Sequence, residues 1–181
     1  AAAQEMQVYT GSEKITLTGI LIGDVWLCSG QSNMEYPLYR KLKRYAGPKR
    51  GPDIAEQELA AMPGPAGIRY LYAERNLKKY PQFPGNGWFT NLDTTIRYVS
   101  AIGYFFAKEI YAATGVPIGI ISSSWGGTRV EQWTPPVAYS ISPTFRNLMT
   151  TDTFRIDEMK PGQMYRDMIE PLIPMAIKGV L

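Results

Sequence analysis

Ser32 sits where the chain is best suited to hold an attacking hydroxyl. An apolar run, Ile20 to Leu27, reads as a buried strand that breaks at Ser29-Gly30 and delivers Ser32 into the turn that follows. A serine just past the carboxyl end of a buried strand, with a glycine two residues before it, occupies the position of a nucleophile in an α/β enzyme. A second junction has a similar make-up. Val116 to Ile121 is a continuous apolar run, the mark of a strand covered on both faces, and it ends in Ser122-Ser123-Ser124-Trp125-Gly126-Gly127-Thr128. If the two strands are neighbours, Ser32 faces a glycine-rich loop whose backbone N–H groups no side chain shields, which is the composition of an oxyanion hole. Each such donor is worth about 2.7–4 kcal/mol of barrier in acyl transfer.

The residue types that are missing limit this chemistry. The chain has no histidine, so its 181 residues cannot assemble a Ser-His-Asp triad. A serine hydroxyl without a base to accept its proton is a poor nucleophile at neutral pH. Lysine or aspartate could replace histidine; Asp24, Asp93, Asp152 and Asp157 are available, the spacing favours none of them, and Asp24 fits strand entry and packing better. The single cysteine, Cys28, excludes an internal disulfide and a cysteine-cluster metal site, and its place in an apolar strand makes it a packing residue. Without histidine or a cysteine cluster, zinc and haem lose their usual ligands, so no metal or cofactor is expected. Neither G-x-x-x-x-G-K-[ST] nor G-x-G-x-x-G occurs, which argues against a phosphate-cradling loop or a dinucleotide.

Composition adds further bounds. A length of 181 residues suits one domain, and 45% apolar with 19% charged residues describes a globular chain. The net charge is only +3, and the basic cluster Arg40-Lys41-Leu42-Lys43-Arg44 with Lys49-Arg50 is local. With no RNA-reading or helix-turn-helix signature around it, the cluster reads as a solvated insertion and no nucleic-acid partner is expected. No segment reaches the about 18 apolar residues of a membrane span.

The elements that must position the two loops follow from periodicity. Residues 6 to 27 alternate in part, and Gly11-Ser12-Glu13-Lys14 is a turn signal between two strand-like runs; the first run ends at the chain start with no partner strand in view, as an edge would in a segment cut from something larger. One helical turn is expected after Ser32, bringing free N–H groups near its oxygen. Residues 46–65 read as a surface insertion carrying one short helix around Ile54 to Ala60, and Ile68 to Tyr72 as a strand. The clearest helix is capped by Ser100 and stopped by Gly115, with Ile102, Phe105, Phe106 and Ile110 on its apolar face. Tyr165 to Ile177 has helical spacing, with Pro171 and Pro174 as irregularities, and Lys178 to Leu181 begins another strand. Strand and helix alternate, which predicts a parallel α/β class.

The stretch Gly23 to Glu35 resembles the nucleophile block of the sialate O-acetylesterase family, carbohydrate esterases of the SGNH type. Gly119 to Thr128, continued through Glu131 and Trp133, and Met168 to Val180 resemble further blocks of that family. The resemblance runs from about Ile20 to Leu181 and is loose between Ala46 and Pro84. It implies a three-layer α/β/α, flavodoxin-like fold with a parallel sheet, incomplete at the C-terminus. Residues 1–19 would be the remnant of a preceding β-region and 20–181 the N-terminal part of the hydrolase domain. It implies Ser32 as nucleophile and as one oxyanion donor through its own N–H, with the N–H of Gly126 or Gly127 as the second. In the family a third donor and an Asp-x-x-His base come from later sequence, past Leu181. The substrate would be an O-acetylated sugar or sialic acid, and the setting secreted or periplasmic. Arg129, Glu131 and Trp133 could contact sugar hydroxyls or orient the glycine loop. Met34 and Tyr36 could wall the acyl site or pack in the core, while Trp88, Tyr70, Tyr72 and Tyr80 read as structural. The missing histidine keeps a second class open: a non-catalytic glycan-binding module or degenerate esterase.

Overall fold

The structure is a computed structural model, and it describes residues 2–62, 64–73, 87–92, 94–143, 146 and 155–181. Strands β1 (Gln4–Thr10) and β2 (Glu13–Ile20) pair antiparallel across the Gly11 turn. The first run therefore finds its partner in the second, contrary to the reading of an edge with nothing to pair with. This two-stranded sheet is separate from the main one and leaves Met6, Val8, Tyr9, Ile15 and Leu17 exposed. It extends to Ile20, one residue past the expected boundary.

The apolar run from Ile20 to Leu27 is not one strand. Ile20 ends β2, Ile22 is exposed, and β3 spans Asp24–Gly30. The break falls at Gly23, where the chain runs against Pro117: a Cβ at Gly23 would stand within overlap distance of the Pro117 carbonyl, and Asp24 N–H donates to that oxygen at 2.9 Å. A short helix, α1 (Ser32–Glu35), follows β3 directly.

Helix α2 (Ile54–Ala60) is capped by Asp53, whose carboxylate accepts from Glu56 N–H at 3.2 Å. Its segment docks on the main core through Ala55, Leu59 and Met62. Strand β4 (Ile68–Tyr72) comes next, then helix α3 (Ala101–Thr114). Both ends of α3 match the expected signals: Ser100 Oγ accepts from Gly103 N–H, and Gly115 closes the helix in the left-handed conformation. Glu58 of α2 binds Lys108 and Tyr104 of α3 at 2.6 and 3.0 Å.

Strand β5 (Ile118–Ser124) leads to the short helices α4 (Val130–Trp133) and α5 (Pro136–Ile141), and β6 (Gly179–Val180) closes the sheet. Tyr165 to Ile177 is not one helix. Residues Tyr165–Ile169 form a π-helical turn and Glu170–Leu172 a 3₁₀ turn. Pro171 and Pro174 have no N–H to give to an α-helical ladder, so the regular helix cannot continue there.

The main sheet has the order β4-β5-β3-β6 and every pairing is parallel. Side chains alternate between its faces. On one face Cys28 and Ile120 meet α3 so closely that a Cβ at Gly103 would lie 2.8 Å from Cys28 Sγ and 3.2 Å from Ile120 Cγ2. On the other, Ser123 Oγ donates to the Met168 carbonyl at 2.9 Å, where the π-helical turn packs with Met164 and Trp125. Helical segments thus cover both faces, as an α/β fold of this class requires. Among the described residues, no helix is long and apolar enough to cross a membrane.

Candidate active site

The question left open by the sequence was whether the two loops meet. They do, because β3 and β5 are adjacent and in register from Asp24↔Ile118 to Gly30↔Ser124. The ladder continues one step past the strands, with Trp125 N–H donating to the Gly30 carbonyl at 2.9 Å. Both chains therefore leave the sheet at one height, at its carboxyl end, where α/β enzymes bind ligands. Gly30 turns the chain with φ +145°, a conformation that side chains disfavour. Ser32 then opens α1, and as the first helical residue its N–H has no partner within the helix.

The glycine loop crosses directly over this turn. A Cβ placed on Gly126 would lie 3.4 Å from both Cα and Cβ of Ser32 and 2.7 Å from Glu35 Oε2. The Gly126 N–H donates to Glu35 Oε2 at 2.8 Å. Gly127 has φ +79°, a Cβ added there would meet nothing within 4 Å, and among the described residues its N–H has no hydrogen-bond partner. The loop is closed internally: Thr128 Oγ1 donates to the Trp125 carbonyl at 2.6 Å and accepts from Trp133 Nε1 at 2.8 Å. Gln31 Nε2 donates to the Thr128 carbonyl at 2.8 Å.

Several other residues singled out in the sequence lie in packing or loop-fixing roles. Met34 packs against the main core, and Ser100 Oγ lies 3.3 Å from its sulfur. Tyr36 stacks on Tyr45 with ring centroids 4.7 Å apart. Trp133 joins Trp125, Met164 and Met168 in the second core cluster. Arg129 is exposed and its guanidinium pairs with Asp157 at 2.8 Å, while Glu131 uses its carbonyl to accept from Tyr139 Oη and Gly162 N–H. Tyr70 is buried, and burial pushes its phenol up from the ordinary value.

No base emerges for Ser32 among the described residues. Its Oγ donates to Gln31 Oε1 at 3.4 Å, a long contact to a neutral amide. Asp24 stands at the entry of β3, near Lys178 Nζ at 3.7 Å, six residues before the strand's carboxyl end. Asp157 is engaged with Arg129. Asp93, Asp152 and Tyr80 lie outside the described residues. Cys28 is fully buried and burial pushes its thiol up to about 12, which suits packing rather than reactivity. Among the described residues, no group of three or more His, Cys, Asp or Glu could hold a metal ion. A cavity of about 630 Å³, lined by Leu17, Gly23, Val25, Arg69, Trp88 and Pro117 among others, lies at the amino-terminal end of the sheet, away from Ser32.

Two residues of the site had no role in the sequence reading, Gln31 and Glu35. They flank Ser32 four apart, on neighbouring positions of one helical turn, and that spacing was the available signal.

No protein-family model matches the chain. The sialate O-acetylesterase of Pongo abelii is 30% identical over 185 residues, covering 93% of this chain and 33% of the relative. That of Homo sapiens gives the same identity and coverage. The sialate O-acetylesterase of Rattus norvegicus is 35% identical over 129 residues, or 63% of this chain and 21% of the relative. A crystal structure of a carbohydrate acetylesterase from Xanthomonas citri matches with a TM-score of 0.72 at 31% identity, covering 99% of this chain and 37% of that one.

Parallel β3 and β5, a serine turn and a glycine loop at their shared end, and this structural match define an α/β fold of the SGNH esterase type. The chain spans about a third of the length of the first two curated relatives. It belongs to the sialate O-acetylesterase family.

Proposed function

We propose that the protein to which this chain belongs hydrolyses acetyl esters on sugars, sialic acid among them, with Ser32 as the nucleophile. The observation that carries this reading is the register of β3 with β5, which sets Ser32 beneath the Gly126-Gly127 loop. In this scheme Ser32 Oγ attacks the acetyl carbonyl carbon and passes its proton to a base. The carbonyl oxygen becomes an oxyanion, stabilised by the Ser32 N–H and a glycine N–H. The sugar hydroxyl leaves with a proton, and water then releases acetate from the acetyl-serine. Since the Gly126 N–H is held by Glu35, the reading assigns the glycine donor to Gly127. With no histidine in these 181 residues, it takes the base, and a third donor, from outside them.

The test is labelling of Ser32 by a serine-reactive phosphonate in the full-length protein, together with hydrolysis of O-acetylated sugars. Ser32→Ala should abolish labelling and lower kcat by orders of magnitude. Absence of both labelling and hydrolysis in the unaltered protein would refute the proposal. The lack of histidine and the long Ser32–Gln31 contact favour one alternative, a glycan-binding module or degenerate esterase. Binding of acetylated sugar without turnover or labelling would select it.

A further inference from the structure

We infer that Gln31 and Glu35 are positioning residues that clamp the glycine loop at both ends and hold it over Ser32; this rests on the esterase reading above. The loop has one attachment on each side of Gly127. Before it, the Gly126 N–H is taken by Glu35 Oε2 at 2.8 Å; after it, the Thr128 carbonyl is taken by Gln31 Nε2 at 2.8 Å. The two clamping side chains are joined by the backbone bond from Glu35 N–H to the Gln31 carbonyl, 2.8 Å, which closes the turn containing Ser32. Nucleophile and clamp are thus one rigid turn, and the loop is fixed to that turn rather than to the sheet alone.

The two attachments differ in kind. A carboxylate accepting from a backbone N–H makes a charge-assisted bond, stronger than the amide-to-carbonyl bond at the other end. The contact is also close: a Cβ on Gly126 would meet Glu35 Oε2 at 2.7 Å. With the flanking groups tied, the Gly126–Gly127 peptide is held in one orientation and its N–H stays free of protein partners among the described residues. Donors fixed before reaction, with no reorganisation left to make, are the ones that stabilise an oxyanion best. Glu35 acts on the reaction through the loop it holds.

The clamp is tested in the full-length protein with Glu35→Ala, Glu35→Gln, Gly126→Ala and the Glu35→Ala/Gly126→Ala double variant. Glu35→Ala should lower kcat on an acetyl ester, and the rate of phosphonate labelling at Ser32, by roughly tenfold or more with KM within about twofold. Glu35→Gln keeps an oxygen acceptor and should recover kcat to within about fivefold of the unaltered protein. Gly126→Ala forces the carboxylate away from the other side, so the double variant should be no worse than the poorer single one. Hydrogen exchange of the peptide spanning residues 125–129 should show one newly fast amide in Glu35→Ala but not in Glu35→Gln. A folded Glu35→Ala with unchanged kcat and labelling, a Glu35→Gln as impaired as Glu35→Ala, or additive losses in the double variant would each overturn the inference. If the unaltered protein neither labels nor turns over, the esterase reading itself has failed and the catalytic role of the clamp falls with it, a result visible before any Glu35 variant is made.

Discussion

Replacing Gly103 with alanine tests how closely α3 lies against β3, the strand that leads to Ser32. On an open helix surface glycine to alanine should stabilise by about 1 kcal/mol, because alanine is the better helix former. Here the new methyl would lie 2.8 Å from Cys28 Sγ and 3.2 Å from Ile120 Cγ2, in a region where both side chains are fully buried. Forcing an extra carbon into such packing costs about 1–3 kcal/mol and displaces neighbours. Taking the middle of that range less the propensity gain, Gly103→Ala is expected to destabilise by roughly 1 kcal/mol net. Cys28→Ala removes the closest obstructing atom. Alone it should cost about 1–2 kcal/mol for lost burial and a small void. Combined with Gly103→Ala, the void accepts the new methyl, and the double variant should be no less stable than Cys28→Ala by itself. The assay is urea unfolding of the four proteins in the cycle, compared by midpoint at constant slope. A Gly103→Ala protein more stable than the unaltered one, or losses that simply add, would refute the packing of α3 on β3 argued above.

Two further outcomes concern groups whose protonation the fold alters. Burial holds the Cys28 thiol up at about 12, so in native protein at pH 8 it should resist alkylation, reacting only after urea unfolding; rapid modification of the folded protein would contradict its place in the core. The hydrogen bond from Lys108 holds the Glu58 carboxyl below its ordinary value, with Tyr104 assisting and burial opposing. A lowered folded pKa adds stability that is complete above the unfolded value of about 4.3 and fades as pH falls through the folded one, so the unfolding midpoint should drop between about pH 5 and 3 and Glu58→Gln should flatten that slope.

Local features of the fold were legible in the sequence because their causes are local. The Ser100 cap and Gly115 stop of α3 depend on a few adjacent residues, and both lie where the pattern put them. The strand Ile68 to Tyr72 and the helix Ile54 to Ala60 were read with the same bounds. The break in the apolar run at Gly23 was hidden because its cause is the Pro117 carbonyl, a backbone atom far along the chain. The π-helical turn was hidden because side-chain spacing reports a helix without saying how its ladder survives two prolines. For the site, the loops were legible as types, but their adjacency was a supposition until the order β4-β5-β3-β6 was known. Glu35 escaped notice for a related reason: its partner is a main-chain N–H 91 positions away, which no residue identity advertises.

The register of β3 and β5 also says which kinds of sequence change this centre can absorb. The two strands have seven residues each, and main-chain bonds alone set the height at which their loops emerge. Substitution within them alters packing but leaves that height untouched, whereas loss or gain of one residue moves a loop by about 3.3 Å and sends every later side chain to the opposite face. The geometry here depends on a residue count more than on a spelling. Side-chain identity along β3 and β5 can therefore vary widely while Ser32 and the Gly126-Gly127 loop still emerge at one height.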